Sequence, residues 1–106
     1  MLSEAIIGEA AKLLEQAAPA GSRVVLFGSY ARGLPHPRSD VDFMVIEPQL
    51  RSWLRETDQL YRAVRHLRLP IDLLVTTAAV FAQKKADVST VYHEAFCGGK
   101  VMNAIA

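Results

Sequence analysis

A chain of 106 residues, 51% hydrophobic and with a formal net charge of +1, has room for one domain with a real core and none for a second lobe. So small a charge argues against direct binding of nucleic acid through its phosphates. The single cysteine, Cys97, leaves no internal disulfide and fits a reducing cytoplasm.

Nothing in the sequence suggests a membrane. No apolar run approaches the ~20 residues that cross a bilayer, and Glu4, Glu9 and Lys12 interrupt any signal-peptide core. The expectation is one cytoplasmic domain over residues 1–106.

In chain order, residues 3–17 read as an amphipathic helix. Ser3 caps it, Glu4 suits its first turn, and Ile6, Ala10, Leu13, Leu14 and Ala17 recur at helical spacing. Pro19 to Ser22 is a turn. A strand follows over Arg23–Phe27 and ends at Gly28. Residues 29–33 form one helical turn closed by Gly33, after which Pro35 and Pro37 forbid regular structure.

A second strand, Val41–Ile46, puts Val41, Phe43 and Val45 on one face and Asp40, Asp42 and Met44 on the other. Pro48 suits the first turn of a long helix running to about Leu67. Its apolar stripe (Leu50, Trp53, Leu54, Leu60, Tyr61, Val64, Leu67) makes Trp53 and Tyr61 core residues. Arg51, Arg55, Arg62 and Arg65, with Asp58 among them, form a solvated face.

Pro70 leads into a third strand, Ile71–Thr76. Helices follow over roughly 77–86 and 88–97, and Gly98-Gly99 breaks the second. The tail Lys100–Ala106 is small and apolar, docked or frayed, and Cys97 reads as a buried filler. The pattern predicts an α/β (α+β) fold, a small mixed three-stranded sheet flanked by helices.

Chemistry concentrates on three carboxylates. Asp40 and Asp42 are two apart on a strand, so they share a face with Cα atoms ~6.5–7 Å apart. They repel unless a cation sits between them, and Mg²⁺ with oxygen ligands is the economical choice. Gly28 and Ser29 offer backbone N–H groups and a hydroxyl to a phosphate.

Asp72 lies in an otherwise apolar strand, where an unpaired charge costs several kcal/mol. If the third strand lies beside the second, the three carboxylates form a site for two metal ions ~3.5–4 Å apart. Asp72 is then the general base, or the ligand that acidifies an attacking hydroxyl. The competing structural reading makes Asp40 and Asp42 turn and edge charges and pairs Asp72 with an arginine. It accounts for each carboxylate singly but not for their combination with Gly28-Ser29. His36 and His93 read as incidental. For Arg38, contact with a phosphate and simple neutralisation of the acidic pair both stay open.

Gly28-Ser29-Tyr30-Ala31-Arg32-Gly33, then Ser39-Asp40-Val41-Asp42, then Asp72 in a later strand together resemble the DNA polymerase β-type nucleotidyltransferase superfamily. The short length and the wording Leu26-Phe27-Gly28-Ser29 resemble its minimal nucleotidyltransferases (MNT), the antitoxins of HEPN–MNT toxin–antitoxin systems. The resemblance spans nearly the whole chain. It implies a polymerase β-like fold, with Gly28 and Ser29 on phosphate, Arg32 and Ser39 also at the nucleotide, and Asp40, Asp42 and Asp72 as catalytic metal ligands.

The implied activity is Mg²⁺-dependent transfer of AMP from ATP, with pyrophosphate released. The implied acceptor is a tyrosine hydroxyl of a HEPN toxin partner, whose RNase activity is thereby blocked. The basic stretch His36-Pro37-Arg38 and the absence of a terminal aromatic residue depart from the family pattern. Two other functions compete: a non-catalytic antitoxin that neutralises its partner by occlusion, and a transferase acting on a small molecule such as an antibiotic.

Overall fold

The computed structural model describes residues 2–103. Two helices hold one face of a sheet and two hold the other. The first helix, α1 (Glu4–Ala17), starts where the Ser3 hydroxyl accepts from the Ile6 N–H. Its buried residues Ile7, Ala10, Ala11 and Leu14 lie three or four apart, as one helical stripe must. Strand β1 (Arg23–Phe27) follows, then the single helical turn α2 (Gly28–Ala31), which continues the strand without a linker.

Strand β2 (Val41–Glu47) pairs antiparallel with β1 and parallel with β3 (Ile71–Thr77). A parallel neighbour requires a crossover, and α3 (Trp53–Val64), ending in a 3₁₀ turn over Arg65–Leu67, supplies it. Helices α4 (Ala78–Lys84) and α5 (Val91–Gly98) close the second face, capped by Thr77 and Thr90.

The sheet has four strands, in the order β3-β2-β1-β4, rather than the three expected. The fourth, β4 (Lys100–Val101), is only two residues long and pairs antiparallel with β1. So short a segment carries no alternation to be recognised. Two contacts dock it. The Asn103 side chain accepts from the Val24 N–H and donates to the Ser22 carbonyl, both at 2.8 Å. Gly99 presses against β1 so closely that a Cβ there would fall 2.6 Å from Val25 Cγ1. Residues 100–103 of the tail are therefore docked, and the rest lies outside the described residues.

Alternation divides the core. Val24, Leu26, Val41, Phe43, Val45, Leu73 and Val75 face α1 and α3. Val25, Phe27, Met44, Ile46 and Leu74 face α4 and α5. Each fully buried side chain of this size contributes ~1.5–3 kcal/mol, so a shift of register by one residue would forfeit both cores at once.

The crossover helix departs from expectation. It begins at Trp53, not at Pro48, because the Ser52 hydroxyl accepts from the Arg55 N–H and sets the first turn there. Trp53 and Tyr61 are not core residues: they are 52% and 37% exposed. Both reach over the outer edge of β3. The Trp53 indole N–H donates to the Val75 carbonyl at 3.2 Å, and the Leu73 N–H donates to the Tyr61 hydroxyl at 2.9 Å. Edge backbone groups that a further strand would otherwise seek are thus occupied. Arg62 pairs with Asp58 one turn away at 2.9 Å, as a solvated face would have it. Cys97 is exposed, not buried, with Sγ 3.4 Å from His93 Nε2.

Candidate active site

One end of the sheet gathers the acidic residues. There β1 finishes while β2 and β3 begin, and the Val41 N–H donates to the Pro70 carbonyl at 2.8 Å. That bond fixes the register in which Asp42 lies directly beside Asp72 on the neighbouring strand, with Phe27 on its other side. Asp42 and Asp72 stand two residues before Met44 and Leu74 on their strands, so they lie on the same face, the one shared with α4 and α5. Asp40 is exposed just ahead of β2, and Asp72 is exposed on the edge strand.

The electrostatic consequence falls on Asp42. Burial, and then the charges of Asp72, Asp40 and Glu94, push its carboxyl up to about 6, with Arg32 opposing them. The cluster therefore carries negative charge that nearby cations do not balance. Its donors are all oxygens, the set a hard divalent cation such as Mg²⁺ prefers, and such an ion would relieve the repulsion. As the side chains stand, no three His, Cys, Asp or Glu among the described residues are drawn together closely enough to hold a metal ion.

Gly28 is buried at the head of α2 with φ +75°, and a Cβ there would collide with the Asp42 carboxylate. Only glycine suits this position. The close approach brings the backbone of the Gly28-Ser29 turn against the acidic cluster, with first-turn N–H groups that lack intrahelical partners. Ser29 is half-buried in that turn. Arg32 follows at the helix end and pairs with Glu94 of α5 at 2.6 Å.

Ser39 is buried, and its hydroxyl accepts from the His36 N–H at 2.9 Å. The bond closes the turn from which Asp40 emerges. His36 also has a local role, its Nδ1 accepting from the Arg38 N–H at 3.2 Å.

Two site neighbours were not foreseen from the sequence. Glu94 reaches the cluster only because α5 packs beside α2, a long-range contact with no local signature. Tyr61 has the spacing of a core residue in the apolar stripe, yet its hydroxyl lies 3.4 Å from Asp72 Oδ1 as well as accepting from the Leu73 N–H. A tyrosine at the border of such a stripe carries an apolar ring and a polar tip, and that duality was the available signal.

Comparison with known proteins bears on the fold and the family. None of the curated proteins matches the chain. Among solved structures, a chain of a toxin–antitoxin crystallised with AMP-PNP superposes with a TM-score of 0.67 at 20% identity, over 92% of this chain and 73% of that one. A mutant MntA–HpeT toxin–antitoxin gives 0.66 at 20% identity, covering 97% and 74%. A complex of tri-AMPylated HEPN toxin with MNT antitoxin from Shewanella oneidensis gives 0.59 at 18%, covering 91% and 67%. These likenesses establish the fold. The model of the nucleotidyltransferase domain matches residues 7–95, which take in the glycine turn and all three aspartates, and the chain belongs to that family.

Proposed function

We propose that this chain is a Mg²⁺-dependent nucleotidyltransferase that moves AMP from ATP to a hydroxyl, a tyrosine of a HEPN toxin partner, and so serves as the antitoxin. The observation that carries this reading is the in-register pair Asp42 and Asp72 beside the Gly28-Ser29 turn. Its neighbours in fold lend support: one holds AMP-PNP, and another is an MNT antitoxin with a toxin bearing three AMP groups.

In this reading Gly28 and Ser29 hold the triphosphate with backbone N–H groups and a hydroxyl. Arg32, steadied by Glu94, offsets the charge that gathers on the leaving pyrophosphate. Ser39 fixes the loop that presents Asp40. Asp40, Asp42 and Asp72 would hold Mg²⁺, two ions in the fullest case, and the bound metal neutralises phosphate charge and acidifies the attacking hydroxyl. Asp72, on the open edge where an acceptor can approach, takes the hydroxyl proton. The acceptor oxygen bonds to the α-phosphorus, the α–β bridging bond breaks, and pyrophosphate leaves.

Calorimetry with AMP-PNP and Mg²⁺ tests the nucleotide site. Wild type should bind, and Asp42→Asn should bind at least tenfold more weakly with its fold intact. Equal binding by the two would remove the acidic cluster from the account. Full neutralisation of the toxin by Asp72→Asn would support the competing reading, partner neutralisation by occlusion.

A further inference from the structure

At the end of the sheet away from the aspartates, and on its other face, a second set of oxygens is gathered. Glu47 closes β2 five residues beyond Asp42, ~16–17 Å along the strand. It stands two residues after Val45 and so shares that residue's face, the one covered by α1 and α3. Glu56 of α3 meets it carboxyl to carboxyl.

Ser22 comes in from the neighbouring strand. The β1–β2 ladder pairs Arg23 with Ile46, and a Cβ on Gly21 would fall 3.2 Å from the Pro48 side chain. Ser22 therefore stands opposite Glu47, where facing Cβ atoms are ~4.5–5.5 Å apart. Being two residues before Val24, it also lies on the α1/α3 face.

These groups are buried and short of partners. Glu47 is 0% exposed and Ser22 is 7% exposed. Apart from the contact between the two carboxyls, both Glu47 oxygens, Glu56 Oε2, and the hydroxyls of Ser22 and Thr57 have no hydrogen-bond partner. A proton between the carboxyls satisfies one oxygen of each. It leaves the second Glu47 oxygen and both hydroxyls bare, and bare buried polar groups are costly. Neither glutamate takes part in the ion pairs of the described residues.

We infer that these oxygens form a site for one divalent cation, Ca²⁺ in chemical class, separate from the candidate active site. Two positive charges cancel those of Glu47 and Glu56, which a monovalent ion cannot do. The donors are all oxygens, as hard cations prefer. They come from three segments with no octahedral arrangement imposed on them. Ca²⁺ accepts ~6–8 ligands in flexible geometry, whereas Mg²⁺ demands a near-ideal octahedron and holds on to its waters. The bound ion would tie the start of β1, the end of β2 and the first turn of α3 together. This inference does not depend on the transferase reading.

The test is urea unfolding at pH 8 of chelator-treated protein, with and without millimolar Ca²⁺. Asp42→Asn/Asp72→Asn serves as the host, so that the aspartate cluster is disabled. The host's midpoint should rise with Ca²⁺ and keep rising as the concentration is raised, as binding to the folded form alone requires. Mg²⁺ should do less. Adding Glu47→Gln should abolish the rise, and Ser22→Ala, which keeps both carboxylates, should reduce it.

Tb³⁺, which takes the same oxygen ligands, reports position. Trp53, the single tryptophan, lies one helical turn before Glu56 and should sensitise Tb³⁺ emission in the host but not after Glu47→Gln. No rise with Ca²⁺ in the host, an equal rise after Glu47→Gln, or emission indifferent to Glu47→Gln would each overturn the site. An equal rise with Mg²⁺ would overturn its assignment to calcium.

Discussion

Replacing Glu47 with glutamine should stabilise the protein at alkaline pH and do much less at acid pH. Glu47 is 0% exposed at the end of β2, and its carboxyl oxygens have no hydrogen-bond partner other than the Glu56 carboxyl. Glu56, in the first turn of α3, faces it with a buried oxygen of its own. Burial first, then the Glu56 charge and the bond between the two carboxyls, push Glu47 up to about 7 from an ordinary 4.5. The upward shift falls on Glu47, so the proton the pair shares belongs there.

The sign follows from linkage. Between pH 4.5 and 7 the folded chain holds a proton on Glu47 that the unfolded chain has released. Stability therefore falls as pH rises through that window and levels off above it. With ~1.4 kcal/mol for each pH unit of displacement, the full loss is about 3 kcal/mol by pH 8. Glutamine carries no charge to lose and brings an N–H donor to Glu56.

Urea denaturation of wild type and Glu47→Gln at pH 5 and pH 8 reads the difference directly. The variant's advantage should grow by about 2–3 kcal/mol between the two. An advantage that stayed constant with pH, or a variant equally destabilised at both, would refute the shared-proton account.

Gly28→Ala combines φ +75° with a Cβ directed into the Asp42 carboxylate. It should cost ~1–3 kcal/mol in denaturation and abolish AMP-PNP binding in calorimetry; retention of both would show the glycine to be dispensable. Tyr61→Phe leaves the Leu73 N–H without its acceptor and should lose ~1 kcal/mol. Because the same hydroxyl reaches Asp72, steady-state kinetics should show kcat down about tenfold with KM for ATP unchanged. An unaltered kcat would confine Tyr61 to covering the sheet edge.

Most of the candidate site's layout was legible in the sequence because it is local. Asp40 and Asp42 share a strand face by alternation alone, and Gly28-Ser29 closes the preceding strand. That Asp72 stands beside Asp42 needed only the third strand to be the second one's neighbour, as it is. What the sequence did not disclose depends on contacts between distant segments. Two residues of β4 have no period to detect. Glu94 acquires meaning only from the packing of α5 on α2.

Trp53 and Tyr61 show where periodicity misleads. They satisfy the spacing of a buried stripe, but their polar atoms bond to the backbone of an edge strand, which holds them at the surface. Pro48 suited a helix start equally well. The Ser52 cap prevailed because its hydroxyl satisfies an N–H of the first turn, whereas proline only removes one.

The most direct test of the central claim is intact mass spectrometry of whatever small protein co-purifies with this chain, after ATP and Mg²⁺ are added. Wild type and Asp72→Asn would be run side by side. The account predicts a mass increase of one or more AMP units on the partner with wild type and none with the variant. An unmodified partner in a stable complex with wild type would contradict it.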